Sequence, residues 1–140
     1  MKEEDQISRK LLAWLNTFPD IPLSIERIDY ELMDPDAAGM SLSTIQGTYI
    51  VERNILGWYT AEYQFKIIFR VKPTSPDGRL KADELLNRLG DWAEGQKPDI
   101  GDGLEVQELE QATRASLFAR FEDGWEDHQI FLRMTYQVKK

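Results

Sequence analysis

The spacing of hydrophobic and polar positions changes several times along the chain, and each change marks an element. Ile7, Leu11, Trp14, Leu15 and Phe18 recur at helical spacing, while Gln6, Lys10 and Asn16 point elsewhere. Glu3, Glu4 and Asp5 suit the positive end of a helix dipole, and Pro19 disfavours helical geometry at Phe18. An amphipathic helix from about Glu4 to Thr17 is predicted, its stripe packed on a sheet. From Ser24 to Leu32 the pattern alternates, with Ile28, Tyr30 and Leu32 set against Arg27, Asp29 and Glu31, as in a strand with one dry face. Asp34-Pro35-Asp36-Ala37-Ala38-Gly39 is turn chemistry; Met40 to Gln46 is weakly extended, and the β-branched and aromatic Thr48 to Val51 suits pairing. Ile55-Leu56-Gly57 reads as a loop or bulge.

The clearest strand runs from Trp58 to Val71. Tyr59, Ala61, Tyr63, Phe65, Ile67, Phe69 and Val71 share one face, and Thr60, Glu62, Gln64, Lys66, Ile68 and Arg70 the other. Such a run predicts a central antiparallel strand with one solvated side. Beyond the break at Pro73 to Gly78, Ala82, Leu85, Leu86, Leu89, Trp92 and Ala93 form a second helical stripe, with Gly95 as its stop. A loop from Pro98 to Gly103 leads to a strand over Leu104 to Glu108. The last third reads as a hairpin. Ala115, Leu117, Ala119 and Phe121 alternate up to the turn at Asp123-Gly124; His128, Ile130, Leu132, Met134, Tyr136 and Val138 alternate on the way out. No repeat or linker divides the chain, so the expected fold is a single α+β domain, residues 1–140, with two helices packed on a mainly antiparallel sheet.

Composition narrows the chemistry. The chain has 140 residues, 17 Lys+Arg against 25 Asp+Glu, and a formal charge of −8. With no cysteine there are no disulfides, thiolate metal sites or cysteine nucleophiles, and with one histidine, His128, there is no His cluster for zinc. No cofactor or metal is expected. The negative charge argues against a protein that grips nucleic acid, since that affinity comes from Lys and Arg neutralising phosphates. The N-terminus lacks the apolar core of a secretory signal, and no segment approaches the ~20 apolar residues that span a bilayer. A cytosolic origin is expected.

Acidic clusters occur at Asp34/Asp36, Asp99/Asp102 and Glu122/Asp123/Glu126/Asp127. None has the ligand register of a calcium loop, and solvated turn acids are the expected reading. His128, without a Ser or Cys motif around it, is expected to be a polar residue at a strand end, and Gly101-Asp102-Gly103 lacks the strand-turn-helix setting of a nucleotide fingerprint. Trp14 and Trp92 fall on helix stripes. Trp58 and Trp125, near strand starts, are the two tryptophans expected to face a partner.

The stretches Leu12-Ala13-Trp14-Leu15, the strand Tyr59 to Val71, Arg79-Leu80-Lys81-Ala82-Asp83-Glu84-Leu85-Leu86-Asn87 and Asp91-Trp92-Ala93 form a recognisable order. With Glu110-Gln111-Ala112-Thr113, Leu117-Phe118, Glu122-Asp123-Gly124 and the terminal strand, they resemble the small minor capsid or tail-completion proteins of tailed phages and prophages. The resemblance spans about Leu11 to Tyr136 and is weakest from Gly47 to Gly57. It implies a structural protein without catalytic residues, similar to tail terminators: subunits that close into a ring, typically a hexamer, on the head-proximal end of the tail tube.

The partners it implies are further copies of the chain (or none, for a free monomer), the tail tube protein, and a head-completion or neck protein. Double-stranded DNA would pass through without specific binding. The protein would reside in the host cytoplasm during assembly and then in the virion tail or neck. An acidic lumen drawn from Asp34, Asp36, Asp99, Asp102, Asp123 and Asp127 would repel phosphates and let the duplex slide. Two other readings fit the residues: an adaptor that binds a peptide at a sheet edge, and a carboxylate-dependent hydrolase with converging acids.

Overall fold

A computed structural model describes residues 3–32, 34, 37–45, 50–53 and 57–139, with backbone alone at 3–5 and 50–53. Two helices, α1 (Glu3–Leu15) and α2 (Pro76–Ala93), lie with seven strands: β1 (Ile28–Tyr30), β2 (Gly39–Ile45), β3 (Ile50–Arg53), β4 (Tyr59–Val71), β5 (Leu104–Gln111), β6 (Ser116–Arg120) and β7 (Glu126–Val138). The α+β class expected from the alternation is the class observed.

The spine is the antiparallel pair β4 and β7, aligned without a break from Tyr59↔Val138 to Val71↔Glu126. Each central strand is flanked by two collinear shorter ones. Along β4, β2 pairs with residues Gln64 to Arg70 and β3 with Tyr59 to Ala61. Along β7, β5 covers Leu132 to Val138 and β6 covers Glu126 to Gln129. β1 adds to β2 in parallel and makes the sheet mixed.

One face of this sheet carries the core. Ala61, Tyr63, Phe65, Ile67 and Phe69 on β4 oppose Tyr136, Met134, Leu132, Ile130 and His128 on β7, all buried. Ile7, Leu11 and Leu15 of α1 and Ala82, Leu85, Leu86, Leu89 and Ala93 of α2 close over them. Each large side chain so buried stabilises the fold by about 1.5–3 kcal/mol. The helices are joined by a stack of Trp14 on Trp92, centroids 4.8 Å apart, with Phe18 tilted against Trp92 at 5.4 Å. α2 begins at Pro76, inside the stretch expected to be a break, because Ser75 caps it by accepting from the Gly78 N–H at 3.2 Å and Pro76 suits a first turn.

Three expectations change. The strand expected over Ser24 to Leu32 shrinks to Ile28–Tyr30, because Glu26 and Glu31 take left-handed φ values of 63° and 55° on either side of it. Tyr30 and Leu32, expected on the dry face with Ile28, are exposed. The alternation of Ala115, Leu117, Ala119 and Phe121 does not survive, since a register shift between Leu117 and Ala119 turns this segment outward. Among the turn and loop expectations, Pro35, Asp36, Thr48, Tyr49, Ile55 and Leu56 lie outside the described residues.

Candidate functional site

Tracing the period of β7 backward from Ile130 brings His128 and Glu126 onto the core face, under the first turns of α2. Both are buried. His128 Nδ1 stands 2.7 Å from Asp83 Oδ1, and Nε2 stands 3.2 Å from Glu126 Oε1. The other oxygen of Glu126 accepts from Arg79 Nε at 2.8 Å and from Arg120 Nε at 3.2 Å. Burial alone would raise the Glu126 pKa. The hydrogen bonds of Arg79, His128 and Arg120, with the Arg79 charge, outweigh it and hold the carboxyl below its ordinary range. Glu126 is therefore not a solvated turn acid, as its sequence setting suggested; it and His128, the polar strand-end residue expected, are buried and tie α2 to the start of β7.

A general acid needs a carboxyl whose pKa is raised towards the working pH, and Glu126 moves the other way. Asp91 and Glu105 are also displaced downward, Asp91 by hydrogen bonds from Arg114 and Gln111 and Glu105 by Lys139. Near the end of α2 an open depression of about 370 Å³ is lined by Glu94, Gln96, Lys97, Gln107, Glu108 and Glu110. Glu94 accepts from the Gln111 backbone N–H at 3.1 Å, and Glu110 is bound by Arg133. Each of these two acids thus holds a partner. Among the described residues no three His, Asp or Glu are placed to hold a metal ion, and no helix is long and apolar enough to cross a membrane.

The opposite face of the sheet is polar. On it Arg70 and Asp127 sit directly across the central pair, with Nε to Oδ1 at 2.7 Å and Nη2 to Oδ2 at 2.8 Å. The hydrogen bond from Asp127 raises the Arg70 pKa against the opposing effect of burial. Asp127 is buried by this contact, and its charge is matched locally instead of facing solvent.

The remaining sequence candidates scatter. Asp34 and Asp123 are exposed at the Val71 end of the sheet, both acting on Arg70 through their charge. Asp99 and Asp102 are exposed in the loop before β5, at the far end. Asp36 lies outside the described residues. Trp125 and Trp58 are likewise at opposite ends, each half-buried, with Lys72 Nζ 5.8 Å and Lys139 Nζ 5.7 Å from the ring centres.

The sequence reading missed the sheet margins. Among the described residues β6 pairs only with β7, and Leu117, Phe118 and Phe121 on or beside it are 42%, 53% and 41% exposed. β1, the opposite margin, has Tyr30 at 41% and Leu32 at 67% beside it. The adjacent apolar pair Leu117-Phe118 was the available signal, because two such neighbours cannot both face one core from a regular strand.

Comparison with known proteins gives a likeness of fold. No family model matches the chain, and no curated protein matches its sequence. A chain of the virion of a native gene transfer agent particle superimposes with a TM-score of 0.54 at 14% identity, over 96% of this chain and 91% of that one. A second solved structure, at 15% identity, reaches a TM-score of only 0.36 and carries no argument.

Proposed function

We propose that this chain is a non-catalytic structural subunit of a tailed, phage-like particle, a tail terminator or tail-completion component. It closes into a ring on the head-proximal end of the tail tube and joins tube to head. The observation that carries this reading is the fold shared, over nearly the whole chain, with a component of a gene transfer agent virion. In this reading the partners are further copies of the chain, the tube protein and a neck protein. DNA passes the exposed acids Asp34, Asp99, Asp102 and Asp123, while Asp127 serves Arg70.

Removing the gene from a strain that produces the particle tests the assignment. The expected result is tubes of unregulated length and heads without tails, restored by supplying the chain in trans. Particles of normal length and titre without it would overturn the assignment.

A further inference from the structure

His128 is the single histidine of the chain, and both of its ring nitrogens meet carboxylates inside the fold. Nδ1 stands 2.7 Å from Asp83 Oδ1 on α2, and Nε2 stands 3.2 Å from Glu126 Oε1 on its own strand. The ring is buried, so water does not replace either partner. An ionised carboxylate only accepts, and a neutral imidazole carries one N–H. One of the two contacts would then set a nitrogen lone pair against a carboxylate oxygen, in a setting where an unmade bond costs most. A proton on the second nitrogen removes that conflict and satisfies both acids.

The other groups around the ring decide how firmly that proton is held. Across the rungs stand Phe69 on β4 and Leu117 on β6, which bring no charge. Arg79 from α2 and Arg120 from β6 reach the far oxygen of Glu126. Their charges oppose an imidazolium. Both side chains are exposed and screened by water, however, whereas the two carboxylates touch the ring.

We propose that His128 is a proton-operated latch. As the imidazolium it bridges Asp83 and Glu126 and holds the first two turns of α2 on the start of β7; on losing a proton it lets Asp83 go. Asp83 is the arm that opens, because its side chain is 31% exposed and can turn to water, while buried Glu126 stays with its two arginines. The bridge stabilises the fold in mildly acidic solution, and its contribution is lost as rising pH neutralises the ring. Leu85, Leu86 and Leu89 keep the rest of α2 in the core. The latch stands independently of the ring reading above.

Nitrogen-15 spectra of the untagged chain report one imidazole without ambiguity. At about pH 7.5, where a free imidazole is mostly neutral, both ring nitrogens should carry protons. In Asp83→Asn the new amide can donate to Nδ1, so the ring should be neutral at the same pH in a chain that still folds. Raising the pH until the natural ring is neutral should speed hydrogen exchange from Leu80 to Glu84 by about three- to tenfold beyond the intrinsic increase. Exchange from Leu89 to Ala93 should follow the intrinsic increase alone, and in Asp83→Asn the step at Leu80 to Glu84 should vanish. A neutral ring at about pH 7.5 in the natural chain, or a charged one in Asp83→Asn, would overturn the assignment. Neutralisation of the ring with no change at the start of α2 would overturn the latch.

Discussion

Arg70 and Asp127 face each other across β4 and β7 and share two hydrogen bonds of 2.7 and 2.8 Å on the open side of the sheet. Both side chains are largely withdrawn from water, at 13% and 7% exposure, so neither charge can be removed alone without leaving the other stranded. Arg70→Met is expected to cost about 2–3 kcal/mol in denaturant unfolding. The double variant Arg70→Met with Asp127→Leu should recover most of that. A single variant as stable as the natural protein would show that the pair contributes nothing.

Glu126 gives a pH dependence with a defined sign. Its pKa in the fold lies below the ordinary 4.5, so its contribution is complete above that value and is lost as pH falls through the lower folded value. Glu126→Gln should lose about 2 kcal/mol at neutral pH. The gap between the two proteins should close on acidification below pH 4.5. A gap that stays constant through an acid titration of stability would contradict the assignment.

Gly90 lies where α2 presses on the sheet. A Cβ there would stand 2.6 Å from Ile130 Cδ1, in the core, and 2.5 Å from Gln111 Oε1. Alanine is the better helix former by about 1 kcal/mol, but the overlap with Ile130 outweighs it. Gly90→Ala is therefore expected to destabilise by about 1–2 kcal/mol, the reverse of its effect in an exposed helix. A raised melting temperature would mean that Ile130 moves aside freely.

Asn16 joins the end of α1 to β1 through both backbone groups of Ile28. Asn16→Ala should cost about 1–2 kcal/mol and leave the Ile28 amide without its acceptor. Hydrogen exchange at Ile28 should accelerate well beyond exchange at the buried amides of β4. Unchanged protection at Ile28 would show that another group holds the strand.

Much of this architecture was legible in the sequence because long elements repeat their signal. Thirteen residues of β4 alternate without interruption, so its bounds fall within one residue of those expected, and α2 keeps its stripe from Ala82 to Ala93, although its first turn lies inside the expected break. Short margins do not average in this way. Two residues with positive φ, Glu26 and Glu31, cut the strand around Tyr30, and nothing in their side chains announces that conformation. The bulge at Leu117 moves an alternating set off the core, an effect of register that only the partner strand reveals.

The site was legible only in part. His128 already stood in the alternating set with Ile130, and Glu126 could have been placed inside by extending that period two residues further, but a nearby turn and neighbouring acids pointed to solvent. Asp83 and Arg79, which make that burial tolerable, come from 45 and 47 residues away and carry no local mark. Trp58 and Trp125 were singled out for their chemistry, and the sheet separates them by its full length.

The unbroken alignment of β4 with β7 has a mechanical meaning. A pull along the strand axis loads every rung between Tyr59 and Val71 in shear, so they must yield together. A sideways tug on β1 or β6 peels a few bonds in succession, like a zip. The domain is thus stiff along its central strands and yielding at its flanks.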